Sequence, residues 1–334
     1  MQHDDIAKSL ENLPAGDADA RRAAEARDAE LTKPAGALGR LEDLAAWCAE
    51  WQGRHPPRLD DVQVVVFAGN HGVTARGISA FPPEVTVQMV ANFEAGGAAV
   101  NQLAEAAGAT LDVVALDLET PTADLSADPA MSEADCAGAF RRGFDAVRPD
   151  ADALVVGEMG IGNTTVAAAL CTALWGGDAA DWAGPGTGLD GDGVALKARV
   201  IADAMAVHGA ALDDPLEALR RVGGREIAAM AGAALAARMN RTIVVLDGFV
   251  ATAAVSVLEK MRPGALDHCV AGHVSAEPGH RRLLERLGKA PLLDLDMRLG
   301  EGSGALVALP VLRAAVAAHN GMATFAEAAV SNRE

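Results

Sequence analysis

The chain of 334 residues has no tyrosine, and aromatic residues make up only 3% of it. Its core must therefore be built mainly from Ala, Val and Leu. Cysteine is scarce: Cys48, Cys136, Cys171 and Cys269 stand far apart, with no Cys-x-x-Cys pair. That spacing suggests neither a zinc clip nor a dithiol redox site, and fits free buried thiols in a reducing compartment. No apolar run reaches the roughly 20 residues that span a bilayer. Met1-Gln2-His3-Asp4-Asp5 carries no basic stretch followed by an apolar one, so no secretory leader is expected and a cytoplasmic location is. Positive charge is also short, with Lys+Arg 28 against Asp+Glu 46 and a formal net charge of -18. Such a surface disfavours a sequence-independent grip on nucleic acid and adhesion to an anionic membrane, both of which need Lys and Arg.

What is present is half hydrophobic, at 50% of residues, and long enough for a substantial core. Ile6, Leu10 and Leu13 at helical spacing predict one or two amphipathic helices before residue 30. A turn follows at Lys33-Pro34-Ala35-Gly36, then a helix over 39–52 that His55-Pro56-Pro57 is expected to stop. From Val62 the pattern changes. Apolar runs at 62–67, 111–118, 153–156 and 242–246, with weaker ones at 269–274 and 292–295, alternate with Ala-, Leu- and Val-rich stretches at 164–174, 194–208 and 226–239. Continuous apolar strands between helices predict an α/β fold with a parallel sheet covered on both faces. The segment from Ala305 reads as helical again. In open sheets of this kind ligands bind beyond the carboxyl ends of the strands, so the turns at 68–72, 157–160 and 247–249 are where chemistry is expected.

Gly157-Glu158-Met159-Gly160-Ile161-Gly162-Asn163-Thr164-Thr165 follows a strand and opens an apolar helix. Glycines allow a close approach to an anion, and the N–H groups and dipole of a first helical turn favour phosphate. Thr164 and Thr165 suit a helix cap. An ordinary glycine turn gives the same pattern. No Gly-Lys-Ser/Thr follows, so this is not a nucleoside triphosphatase loop, and Thr165 breaks the Gly-x-Gly-x-x-Gly fingerprint of dinucleotide enzymes. Gly184-Pro185-Gly186-Thr187-Gly188 precedes Lys197 and Arg199 and reads either as a phosphate cradle or as a flexible loop. Remote exposed acids are screened over about 8 Å at physiological salt, so local cations still hold an anion. Leu295–Ala305 sets Glu301 among glycines, in an expected exposed turn, as a base or as a dipole-stabilised acid at a helix start. His71, in a glycine turn, is the histidine best placed for a ligand. His268, His273 and His280 lack zinc spacing, so no metal is expected.

Together these segments resemble the nicotinate-nucleotide–dimethylbenzimidazole phosphoribosyltransferase family. The resemblance rests on Lys33–Glu42, Ala68-Gly69-Asn70-His71-Gly72-Val73, Gly157–Thr165, Leu246-Asp247-Gly248-Phe249, Ser275-Ala276-Glu277 and Met297–Ala305, collinear over residues 33 to 305. It implies a Rossmann-like catalytic domain at 59–305, a small helical domain from 1–58 with 306–334, a homodimer, and no cofactor. Nicotinate mononucleotide would be the donor and 5,6-dimethylbenzimidazole the acceptor. The products would be α-ribazole 5′-phosphate and nicotinate, in cobalamin nucleotide-loop synthesis. The resemblance casts Glu301 as the base and Glu158 as a donor-side acid. Gly160, Asn163, Thr164, Thr165, Gly186, Lys197, Ser275 and Arg298 would hold the donor, while His71, Pro82, Gln88 and Met89 would lie near substrate. Two departures stand out: Asn70 replaces the family's usual aspartate, and Lys33–Ala37 differs from the usual Lys-Pro-x-Gly-Ser. A different acceptor base, a catalytically silent nucleotide-binding protein and a dinucleotide oxidoreductase are the competing readings. The two glutamates argue against the second of these and the missing fingerprint against the third.

Overall fold

A computed structural model describes residues 3–331; Met1 and Gln2 of the N-terminal stretch, and 332–334, lie outside it. The strands are β1 (Val62–Ala68), β2 (Thr110–Ala115), β3 (Ala153–Met159), β4 (Ile243–Leu246), β5 (Cys269–Ala271), β6 (His273–Val274) and β7 (Leu293–Asp294). The first helices are α1 (His3–Glu11), α2 (Ala18–Glu30), α3 (Arg40–Gln52), α4 (Glu84–Glu94), α5 (Ala99–Ala106) and α6 (Glu133–Asp145). They are followed by α7 (Asn163–Trp175), α8 (Ala179–Trp182), α9 (Gly191–His208), α10 (Pro215–Val222) and α11 (Arg225–Met239). The last are α12 (Phe249–Met261), α13 (Pro278–Arg286) and α14 (Ser303–Gly321). Among the described residues no helix is long and apolar enough to cross a membrane.

Five strands form one parallel sheet in the order β2-β1-β3-β4-β5. Alternation of side chains divides its residues between two layers. Val65, Phe67, Leu154, Val156, Val244 and Leu246 enter one core with α7, α11 and α12. Val64, Val66, Val155 and Val245 enter another with α3, α5 and α14. Both faces are covered, which is why these strands are apolar at successive positions rather than at every second one. The order reverses between β1 and β3, and a doubly wound sheet opens a crevice at such a point.

Four local expectations are corrected. β2 stops at Ala115, and Asp117 turns the chain with φ of +50°. β3 runs on through Met159, so Gly157 and Glu158 lie on a strand instead of in a turn. The run 269–274 is broken at Gly272, leaving β5 in the main sheet and β6 paired with β7 in a separate one. A Cβ on Gly272 would lie 2.8 Å from Ala305 Cα, so the start of α14 packs where a longer strand would carry a side chain. Finally, α3 ends at Gln52 as expected, but the stop is Gly53 and not the prolines: Gly53 adopts the left-handed conformation and donates back to Ala49 and Glu50.

The segment around α2 and the segment after α14 meet. α2 and α14 both pack on α3, Leu31 bridges to Thr324, and Arg27 donates to the carbonyls of His319, Asn320 and Met322. α14 also turns Leu306 and Leu309 toward the sheet. The four cysteines are free and buried, and burial pushes the Cys48, Cys136 and Cys269 thiols up to about 12. They are core residues, not nucleophiles.

Candidate functional site

A cavity of about 500 Å³ opens beyond the carboxyl ends of β3 and β4. Gly160, Asn163, Thr164, Gly186, Lys197, Ser275, Arg298 and Glu158 all line it. Residues from Glu158 to Arg298, far apart in the chain, meet there because parallel strands end at one edge of the sheet.

Around the glycine loop at 184–188 the cavity gathers two cations and one acid, Lys197, Arg298 and Glu277. Lys197 projects from α9, almost wholly buried, and donates to Thr164 Oγ1 at 2.8 Å and to the Gly184 carbonyl at 3.0 Å. Burial pulls its ammonium down to about 8, while the nearby Glu277 carboxylate pulls the other way. Arg298 donates to the Gly186 carbonyl at 2.6 Å, and Glu277 accepts the Gly186 N–H at 2.8 Å. The glycine loop at 184–188 is therefore pinned over the start of α7. That helix is capped by Gly162, at φ of +91°, and not by either threonine. Thr164 faces the cavity as the lysine's partner, whereas Thr165 is buried with its hydroxyl unpartnered and does not line the wall. Arg199 lies on α9 but does not line the cavity.

A second acid lines the cavity from the end of β3. Glu158 is buried and hydrogen-bonds with the Asn163 side-chain amide. Burial raises its carboxyl well above the usual range, and the charges of Asp247, Glu226 and Glu301 add to this against the Asn163 hydrogen bond. Glu301 is 4% exposed, contrary to the expected exposed turn. It has φ of +63°, which glycine adopts freely and other residues only under constraint. Its neighbours Gly300 and Leu299 line the cavity, but its own carboxyl sits one layer behind the wall, facing the Val100 N–H at the start of α5. Burial raises it, the Val100 amide opposes, and Asp247 raises it further. One of its oxygens has no partner.

The remaining candidates lie apart from the cavity wall. His71 is buried behind Gly160, with Nε2 2.8 Å from Glu226 Oε1, and both side chains are shut off from solvent. Asn70 donates to the Leu118 carbonyl at 3.0 Å, a contact that an aspartate could not make. Pro82 and Gln88 are exposed around α4, and Met89 packs against the second core. From this segment it is Ile78, Ser79 and Phe81 that reach the wall.

Some residues inside the motifs and turns singled out in the sequence received no role there. Asp247 directly follows β4 and accepts the N–H groups of Gly302 and Ala305. The turn it opens was marked by its position after an apolar strand, but nothing in the sequence links it to residues 302–305. His280 accepts the Ser275 N–H at 2.8 Å and has Nε2 3.0 Å from Thr252 Oγ1, which fixes its neutral tautomer. Burial pulls it down to about 3. Phe249, from the motif at 246–249, and His273, which the sequence weighed only as a metal ligand, also line the cavity.

A family model described as phosphoribosyltransferase matches residues 13–330. The nicotinate-nucleotide–dimethylbenzimidazole phosphoribosyltransferase of a Ruegeria species is 61% identical over 328 residues, covering 98% of this chain and 97% of that one. The protein of the same name from Brucella anthropi is 56% identical over 331 residues, with 99% and 98% covered. The crystal structure of CobT from Thermus thermophilus matches with a TM-score of 0.87 and 44% identity, over 94% of this chain and 100% of that one.

Proposed function

The chain belongs to the phosphoribosyltransferase family, and from that premise we propose that it moves the phosphoribosyl group of nicotinate mononucleotide onto 5,6-dimethylbenzimidazole. The products are α-ribazole 5′-phosphate and nicotinate, and the step belongs to assembly of the cobalamin nucleotide loop. The observation that carries this reading is the polarity of the cavity. Lys197 and Arg298 line it around Gly186 together with Glu277, and Glu158 lines it from the end of β3, with the charges of Asp247 and Glu301 acting on that carboxyl. A nicotinate mononucleotide offers a counterpart to each kind of group, an anionic phosphate for the cations and a cationic glycosyl nitrogen for the acid.

In the donor the pyridine nitrogen already carries positive charge. The C1′–N bond breaks with its electron pair going to that nitrogen, so nicotinate departs with a neutral ring nitrogen. A benzimidazole nitrogen attacks C1′ from the opposite face, which inverts a β-riboside to an α-riboside. As this bond forms the acceptor ring becomes cationic, and its other N–H becomes acidic. A carboxylate that takes this proton interacts more strongly with the transition state than with the ground state, which is the condition for catalysis. Glu301 is assigned this role, and its raised, partly unpartnered carboxyl suits a base. Glu158 faces the positive charge that develops at C1′. Lys197, Thr164, Asn163, Gly160, Gly186 and Arg298 take the phosphate and ribose, and Ser275, held by His280, faces the same space. The apolar acceptor ring is taken by Phe81 and Leu299 at the wall, with Met89 behind.

A second reading exchanges the two acids, with Glu158 as the base, because it is Glu158 that lines the cavity. The same functional reading groups 1–58 with 306–334 as a helical unit beside 59–305, and takes two copies of the chain as the working form.

The test is incubation of purified protein with nicotinate mononucleotide and a panel of benzimidazoles, adenine and phenols. Mass spectrometry is expected to give α-ribazole 5′-phosphate as the main product, with proton NMR showing the α configuration. A β-anomer, or no product with any acceptor, refutes the assignment.

A further inference from the structure

We propose that Asp247 is a positioning residue of the transfer, holding from outside the turn that carries Glu301 against the glycosyl end of the cavity. The proposal rests on the functional reading above and names a residue that reading leaves unassigned.

The argument begins with the helix start. The first N–H groups of any helix lack intrahelical acceptors. α14 is capped by Gly302, which has no side chain to offer. The acceptor comes instead from another element: Asp247, next after β4 and 1% exposed, takes the Gly302 N–H on one oxygen at 3.1 Å and the Ala305 N–H on the other at 2.9 Å. Two amides three positions apart are bridged by one carboxylate. An asparagine of the same shape has one acceptor oxygen, and its NH₂ would face an N–H. The geometry thus calls for an acid and not merely for a polar side chain.

The residue beside this clamp is Glu301, whose left-handed backbone must be held by its surroundings, since such conformations cost on the order of 1–3 kcal/mol. Gly157 presses from the strand side, where a Cβ would lie 2.5 Å from the Glu301 carbonyl oxygen. Asp247 fixes the following amide. Between them the turn has one position, which aims Glu301. The groups facing Asp247 are Glu158 from β3, Glu301 from the turn and His273 from β6, with His273 Nε2 3.6 Å from Asp247 Oδ1. Its negative charge makes both glutamates harder to ionise.

The test uses Asp247→Asn in the full-length protein. The expected result is a kcat at least tenfold lower, a donor KM within threefold of wild type, and an acid limb of the kcat profile moved to lower pH. Amide exchange of the unliganded protein is expected to speed up over residues 298–306. A kcat within threefold of wild type overturns the proposal, as does a reduced kcat with unchanged exchange in that segment. Should Asp247→Asn not fold, Asp247→Glu keeps the charge and displaces the oxygens by one methylene. It is expected to lower kcat with the acid limb in place and faster exchange, and a wild-type kcat again overturns the proposal. If the wild-type protein makes no α-ribazole phosphate, the functional reading fails on its own, while amide exchange still reports whether Asp247 holds the turn.

Discussion

Lys197 Nζ lies 2.8 Å from Thr164 Oγ1, on an ammonium group almost wholly removed from solvent. Among the described residues its hydrogen bonds go to Thr164 and the Gly184 carbonyl, which leaves one N–H of the ammonium for the cavity that Lys197 lines. Burial holds the group near 8, so it is charged below that pH and loses its charge above it. Donor KM is expected to rise as pH passes about 8, and Lys197→Ala to raise it at least tenfold at pH 7. An unchanged KM at both low and high salt removes Lys197 from phosphate binding.

The same burial acts on folding with the opposite sense. The folded pKa of Lys197 lies below the value of about 10.4 expected for an unfolded lysine. Its contribution is therefore unfavourable at and below about pH 8, and is relieved as pH rises toward 10.4. Lys197→Met is expected to raise the melting temperature of the unliganded protein at pH 7 while weakening donor binding. A lower melting temperature contradicts this.

Glu301 and Glu158 are both raised by burial, and a base works only when ionised. Activity is expected to fall as pH drops through a limb above the ordinary carboxylate range of about 4.3. Glu301→Gln is expected to keep donor binding and lower kcat by roughly 10²–10⁴-fold. A loss below threefold, with Glu158→Gln showing the large one, transfers the proton-accepting role to Glu158.

Gly157 gives a prediction about packing. An alanine Cβ there would lie 2.5 Å from the Glu301 carbonyl oxygen and 2.8 Å from the Gly302 nitrogen, both backbone atoms. Overpacking of this kind typically costs about 1–3 kcal/mol. Gly157→Ala is expected to lower both the melting temperature and kcat. Wild-type values for both would show that the turn is not tightly held.

His55 and His319 join the two ends of the chain, with Nε2 atoms 3.1 Å apart. One ring must donate and the other accept, so two cationic rings are incompatible with the contact. Burial first, and the charge of Arg27 with it, lowers both histidines. A lowered folded value means the stabilisation is complete above the unfolded value of about 6.5 and is lost as pH falls from there through the folded one. Thermal melts at pH 7.5 and 5.5 are expected to differ less in His55→Gln than in wild type; an equal difference refutes the coupling.

The layers of the fold are legible in the sequence because a strand buried on both faces must be apolar throughout. Val62–Ala68 and Ile243–Leu246 show this directly. Strand ends are less legible: Gly157 and Glu158 look like a turn, yet they extend β3 because β1 supplies a partner as far as Met159. The glycine-bearing turns point to the right edge of the sheet. They do not say which side chains reach the cavity. His71 and Thr165 belong to the right motifs but face inward, since a turn's sequence does not set the direction of each side chain.

The α/β class, the excess of acidic over basic residues and, through six collinear motifs, the family can all be read along the chain. Local propensity and covalent pattern act along the chain and survive in any reading of it. Only tertiary structure decided that Lys197 meets Thr164 across 33 positions, that Asp247 caps a helix 55 positions away, and that Glu301 is buried behind the wall and not exposed. Those facts depend on where separate strands end in space, and on how burial reshapes the proton affinity of the groups that meet there.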